Sequence, residues 1–351
     1  AMAFAAGALS STMPIFVAVG VCAWLAGSAL YGVVWRLGAM AGGWMAAAGA
    51  SLALLLSPFA REALMLADAR VFCLPFLFGS FLLATPSTSG GESRLRAAAA
   101  GALAGIAALS RPECQLAALL LVGLQATRSW RTALWTLLGA SVFIGPWLGV
   151  LSLSADRPVP GPRWWEGFLL LSWQEIPRRW ALQLFGMGLF SPEGRSAALL
   201  AGSPGSGLVQ QQGAMEGVRW LSSTIGSSIP LWVWFSALGT CLWGLRDSRT
   251  RGPALSALLI GMPYIAAGFM PQARAPIFPH ANLVPACIAA LAAAGAGAGV
   301  LAQRLVAPRA GKPAAWGALA CAALLSAATT RAPEWPYGME TDSAGQAAVR
   351  W

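Results

Sequence analysis

Apolar runs of membrane-spanning length alternate with short polar connections along most of the chain. They predict helices over about 13–35, 40–56 and 68–84, then two that flank a charged interruption at 111–113. Further helices are predicted over 130–153, 229–245, 253–269, 282–305 and 314–329, giving about ten spans. Most runs approach the roughly 20 apolar residues that a helix needs to cross a bilayer. One long connection breaks the rhythm. Residues 155–228 hold a Pro-rich start, a Gly-, Ser- and Gln-rich stretch over 201–212, and two Trp-led apolar patches at 164–171 and 180–190. Neither patch is long enough to span, and both read as helices lying in the interface, where Trp is favoured. The chain therefore divides into membrane helices over 1–154, an outer loop over 155–228, membrane helices over 229–330 and a tail over 331–351.

Composition agrees with this pattern: 57% of residues are hydrophobic and 10% charged. The predicted class is an all-α polytopic membrane protein. The alternating ten-residue segments of a β-barrel are missing from the sequence. A net charge of +10 would point to nucleic acid in a soluble protein, but here the arginines fall between apolar runs and read as topology signals. Every second connection is basic: Arg36, then Arg94 and Arg96, Arg128 and Arg131, Arg246 with Arg249 and Arg251, and Arg304 with Arg309 and Lys312. Glu92 and Asp247 are their only acidic neighbours. The intervening connections are mixed or acidic, holding Arg61, Glu62 and Asp68, the 111–113 interruption, 155–228, 272–280 and a tail with Glu334, Glu340 and Asp342. The positive-inside rule then puts both ends of the chain and the long loop on the outer side of the membrane. The six cysteines have no metal-binding spacing and read as small core residues; a single His excludes a His-based metal cluster. No cofactor and no metal are expected.

Ser110-Arg111-Pro112-Glu113 interrupts what would otherwise be one long apolar segment from Leu95 to Leu124. An ionised side chain at the bilayer centre costs about 2.5–3.5 kcal/mol on insertion scales, so such residues sit at an interface, in a pair or beside water. Pro112 removes a backbone donor and disfavours helical geometry at Arg111, which predicts a tight turn between two helices. A plain turn with an internal ion pair explains the residues equally well.

Three stretches carry a family resemblance. Gly105-Ile106-Ala107-Ala108-Leu109-Ser110-Arg111-Pro112-Glu113 is similar to the "GLAALTRPEG" stretch of bacterial membrane glycosyltransferases of the GT-C superfamily. Those enzymes depend on polyprenyl-phosphate sugars and are related to protein mannosyltransferases and aminoarabinose transferases. Ser57-Pro58, followed by Glu62 and Leu66-Ala67-Asp68-Ala69-Arg70-Val71-Phe72, resembles the family's acidic residue at the outer end of a helix. Arg274-Ala275-Pro276-Ile277-Phe278-Pro279-His280-Ala281-Asn282-Leu283-Val284-Pro285 resembles the late "RYLLPLLPLLALLA" segment that leads into a helix.

The resemblance implies a GT-C-like fold and transfer of a sugar from a polyprenyl phosphate to an acceptor on the outer face. Partners would be the polyprenyl-phosphate-linked sugar, membrane lipids and other membrane proteins, and not nucleic acid. Charge develops on the leaving phosphate as the glycosidic bond breaks, and arginine meets that need because it stays charged and grips phosphate oxygens in a fork. The expected phosphate contacts are Arg70, Arg111, Arg274 and His280, with Asp68 and Glu113 as catalytic carboxylates. Each has a structural alternative: Arg274 as a snorkelling arginine, Asp68 paired with Arg61 or Arg70, His280 as a polar turn residue. Family members carry a catalytic Asp or Glu in the first outer loop, and the start at Ala1 leads us to expect an upstream helix and loop. The alternative function is a non-catalytic GT-C-like subunit that binds lipid or assembles a membrane complex.

Overall fold

A computed structural model of the chain describes residues 15–65, 69–85, 94–110, 113–153, 226, 228–247, 250–268 and 283–331. The described residues are helical apart from short turns. In chain order the helices are α1 (Ile15–Leu56), α2 (Pro58–Met65), α3 (Ala69–Ala84), α4 (Arg94–Ser110), α5 (Glu113–Ala126) and α6 (Trp130–Leu153). After the long connection come α7 (Leu231–Arg246), α8 (Arg251–Gly268), α9 (Val284–Leu301) and α10 (Ala307–Thr329), with a π-helical turn, Ala302–Val306, joining the last two.

Two stretches are too long to cross a bilayer straight. The helical segment Val284–Thr329 has 46 residues, or about 69 Å at 1.5 Å per residue, against a hydrocarbon core of about 30 Å. Glycine solves the problem in both places. α1 breaks at Gly42 and Gly43, the latter with φ 76°, and α10 breaks at Gly311 with φ 83°, a region that residues with a Cβ rarely enter. Each segment folds back on itself: a Cβ built on Gly38 would lie 2.8 Å from the Cα of Ala47, and Ala302 clusters with Ala315. The first reversal corrects the sequence reading in one respect. Arg36 lies within the first limb of α1, before the break, because the helix continues through 36–40 until a glycine lets it turn. Arg309 and Lys312 likewise belong to the first turns of α10 around Gly311 and not to an irregular loop.

α9 forms the centre. Its Ala- and Gly-rich surface is buried on nearly every side, including Ile288, Leu291, Gly295 and Gly299. The second limb of α1 crosses it closely enough that a Cβ on Gly49 would run into the carbonyl oxygen of Gly295, and one on Gly295 into that of Gly49. α4 and α6 meet in the same manner through Gly101, which faces the Thr136 carbonyl, and Gly139, which faces that of Ala98. Small residues let backbones approach where lipid gives no hydrophobic drive for association.

The periphery is apolar. Phe235 is 70% exposed and Val142 65%, with Trp24, Leu242, Leu324 and Leu325 also outward. A water-soluble protein buries such side chains; here they form the lipid-facing surface. Five cysteines are buried as expected, but Cys321 is exposed, because α10 turns that face outward and an apolar sequence context does not distinguish lipid from protein interior.

Candidate functional site at one end of the bundle

The packing contacts sort the helix ends into two groups. One end gathers the basic connections. Arg96 donates from Nε to the Leu83 carbonyl at 2.7 Å and from Nη2 to that of Thr85 at 2.7 Å. Arg128 donates from Nη1 to the Ala84 carbonyl at 2.7 Å, and Gln125 reaches the same oxygen at 3.4 Å. The last carbonyls of α3 have no partner within their own helix, and cations there also meet the negative end of its dipole. α7 is closed similarly, by Arg251 Nε on the Leu245 carbonyl at 3.1 Å and Thr250 Oγ1 on that of Gly244 at 2.8 Å. Aromatic rings mark the same level: Arg304 lies over Trp243 at 5.3 Å, Arg131 over Trp130 at 5.7 Å, and Trp44 meets Trp316 at 4.6 Å.

The opposite end is built from hydroxyls and backbone. Buried Ser57 donates from Oγ to Thr330 Oγ1 at 3.4 Å and accepts from the Ala60 backbone N–H at 3.4 Å, capping α2. Pro58 fills the first helical position, where its missing N–H costs nothing. The Arg331 backbone N–H donates to the Ser228 carbonyl at 2.8 Å. Hence the end of α1, the approach to α7 and the exit of α10 meet at one point. α2 is amphipathic: Phe59, Ala60 and Ala63 are buried, while Arg61 and Glu62 are exposed. Beside it, Cys73 on α3 and Cys114 on α5 bring their Sγ atoms to 3.6 Å, holding the beginnings of those helices side by side.

Of the six residues predicted for the site, Arg70 and Glu113 stand at helix starts at this opposite end. Arg70 is the second residue of α3 and Glu113 the first of α5, so the thiol contact brings their backbones to neighbouring helix starts. Asp68, Arg111, Arg274 and His280 lie outside the described residues, as do the side-chain positions of Arg70 and Glu113. The turn expected at 111–112 is flanked by the end of α4 at Ser110 and the start of α5. The interfacial helices expected over 164–171 and 180–190 and the tail beyond Arg331 also lie outside the described residues. Among the described residues no group of three or more His, Cys, Asp or Glu could hold a metal ion.

Sequence reasoning missed the carbonyl-capping role of Arg96 and Arg128, the Ser57–Thr330 junction and the Cys73–Cys114 contact. Each joins positions far apart in the chain. It also missed a cavity of about 520 Å³ between α7, α8, α9 and the limbs of α1, reaching from Trp232 and Ser326 to Asp247 and Arg304.

No family model matches the chain, and no curated protein matches it. A solved structure is similar: ArnT from Cupriavidus metallidurans bound to undecaprenyl phosphate, with TM-score 0.53 and 20% sequence identity over 89% of this chain. The chain spans 49% of the length of that protein. The likeness is one of fold: the chain is an all-α polytopic membrane protein whose helices are arranged like those of that structure.

Proposed function

We propose that the chain is, or forms the membrane part of, a glycosyltransferase that moves a sugar from a polyprenyl phosphate to an acceptor on the outer face of a bacterial inner membrane. The observation that carries this reading is the fold shared with a protein solved with undecaprenyl phosphate bound. The arginine-rich end is the cytoplasmic one in this reading, by the positive-inside rule. The opposite end, with both chain ends and the 155–228 loop, faces out.

The chemistry follows from charge. The bond between the sugar's anomeric carbon and the lipid phosphate breaks, a bond to the acceptor forms, and the acceptor's proton passes to a carboxylate. Polyprenyl phosphate leaves with the electron pair. Arg111, Arg274 and Arg70 supply fixed positive charge where that negative charge develops, a role typically worth about 10²–10³ in rate per donor. His280 adds a further donor to the phosphate. Asp68 and Glu113 are the candidate proton acceptors, Glu113 beginning a helix that abuts the start of the one bearing Arg70. A carboxylate in the first outer loop of a longer chain would complete the site.

The test is transfer in proteoliposomes from a polyprenyl-phosphate sugar, with Arg274→Ala and Arg111→Ala compared against the parent protein. Loss of transfer with unchanged folding supports the assignment. Unchanged transfer in both variants overturns it.

A further inference from the structure

The cavity beside α9 has an unequal distribution of charged groups, while the hydroxyls of Ser236, Thr240 and Ser326 are spread along it. Along most of its length the walls are apolar, with Ile260, Ala293 and Leu319 among them, and the charged side chains stand at one end, Arg304 and Asp247. From Trp232 to Asp247 it follows α7 for fifteen residues, about 22 Å at the helical rise. That exceeds the roughly 15 Å of one leaflet's hydrocarbon, half of a core about 30 Å thick. A slot this long and mostly apolar, with charge at one mouth, matches an extended lipid chain with a polar head. A compact polar solute would leave most of its length without partners. Arg304 is exposed and lies over the Trp243 ring at 5.3 Å. Arg246 and Arg251 at the same end are exposed as well. Tryptophan and arginine at this level are where headgroups lie, and basic pockets between membrane helices on the cytoplasmic side take anionic headgroups.

We infer that this groove holds one chain of an anionic phospholipid, with the headgroup phosphate on Arg304. The site is at the opposite end of the bundle from the proposed transfer chemistry. It does not rest on that chemistry, and its test reads lipid retention instead of transfer. The charge complementarity selects the occupant: Arg246, Arg251 and Arg304 outnumber Asp247 at this mouth, so a phosphatidylglycerol-type head places its phosphate on the Arg304 guanidinium and brings no cation to repel the arginines.

Two substitutions separate head from chain. Arg304→Gln removes the charge. Gly239→Leu narrows the groove, since Gly239 lines it and a Cβ there meets nothing within 4 Å. The full chain is purified in detergent and its bound lipid measured by native mass spectrometry after exposure to phosphatidylglycerol, phosphatidylethanolamine or polyprenyl phosphate. Phosphatidylglycerol should be retained preferentially, Arg304→Gln should weaken retention about fivefold, the effect of one cation near a membrane surface, and Gly239→Leu should abolish it. The melting temperature of both variants should equal that of the parent. Equal retention of phosphatidylethanolamine, displacement by polyprenyl phosphate at equimolar concentration, or retention unaffected by both substitutions overturns the inference.

Discussion

The two ends of the bundle are closed by different kinds of group. At the arginine-rich end, Arg96 and Arg128 spend their charge inside the protein, on the last carbonyls of α3, at 2.7 Å. At the other end the closures are made by Ser57, Thr330 and backbone groups, and the charged residues of α2, Arg61 and Glu62, stay exposed. A basic residue that signals topology is thus also a structural cap at one end. At the other end, among the described residues, Arg61 and Glu62 face outward. The lesson is that counting arginines gives orientation, while the partners of each arginine determine whether it is available for chemistry.

The sharpest way to break this comparison is to remove arginine from both ends. Arg111→Ala or Arg274→Ala should reduce transfer by about 10² or more while leaving the thermal unfolding midpoint unchanged, as read by radiolabelled-sugar transfer and by fluorescence-detected size exclusion on heating. Arg128→Ala should give the reverse, a lowered midpoint with transfer intact. If Arg128→Ala removed transfer at full stability, the division of labour would be wrong.

Packing can be tested next. Gly101→Val places a branched side chain against the Thr136 carbonyl, and overpacking of this kind costs about 1–3 kcal/mol or more. We expect a large loss of folded protein by size exclusion. A control at Gly123, where a Cβ meets nothing within 4 Å, should be neutral when changed to Ala. Equal behaviour at the two positions would mean that α4 and α6 are not in close backbone contact.

Capping by charged groups ranks third. Arg96→Ala removes hydrogen bonds from a part-buried guanidinium to the carbonyls of Leu83 and Thr85; water replaces part of them, and the pair together contributes about 1.5 kcal/mol, the low end for a bond to a charged group. Denaturation in a mild-to-harsh detergent series should show it as less stable than the parent, with Arg96→Lys recovering part of the loss. The smallest effect belongs to the opposite end. Ser57→Ala removes a hydroxyl contact of 3.4 Å to Thr330 and the cap of α2, together about 1 kcal/mol. A Ser57→Ala variant less stable than Arg96→Ala in the same series would invert the comparison.

Much of the architecture was legible along the chain, because a bilayer imposes a length and an apolar character on any helix that crosses it. The apolar run over 130–153 is α6, and those over 229–245 and 253–269 correspond to α7 and α8 within two residues at each end. The turn points were less legible. Arg36 looks like a boundary because it is charged, yet the helix runs past it to Gly42 and Gly43, where backbone freedom and not polarity allows the reversal. Likewise α2 reads as part of a loop, although its alternation of Phe59, Ala60 and Ala63 with Arg61 and Glu62 is that of a short interfacial helix. For the site, sequence could place Arg70, Arg111 and Glu113 next to helix ends, but not say which ends meet.

By itself the sequence determined that this chain is built of apolar helices suited to a membrane, and where most of them begin and end, since hydrophobicity and charge act locally on each segment. Tertiary structure decided which helices touch. Only folding could set Gly49 against Gly295, Cys73 against Cys114, Arg96 on the end of α3 and a groove between α7 and α9. The reason is physical: between helices in lipid, association depends on close van der Waals fit and a few directed hydrogen bonds. Those are properties of pairs of surfaces, and no single stretch of chain contains both members of a pair.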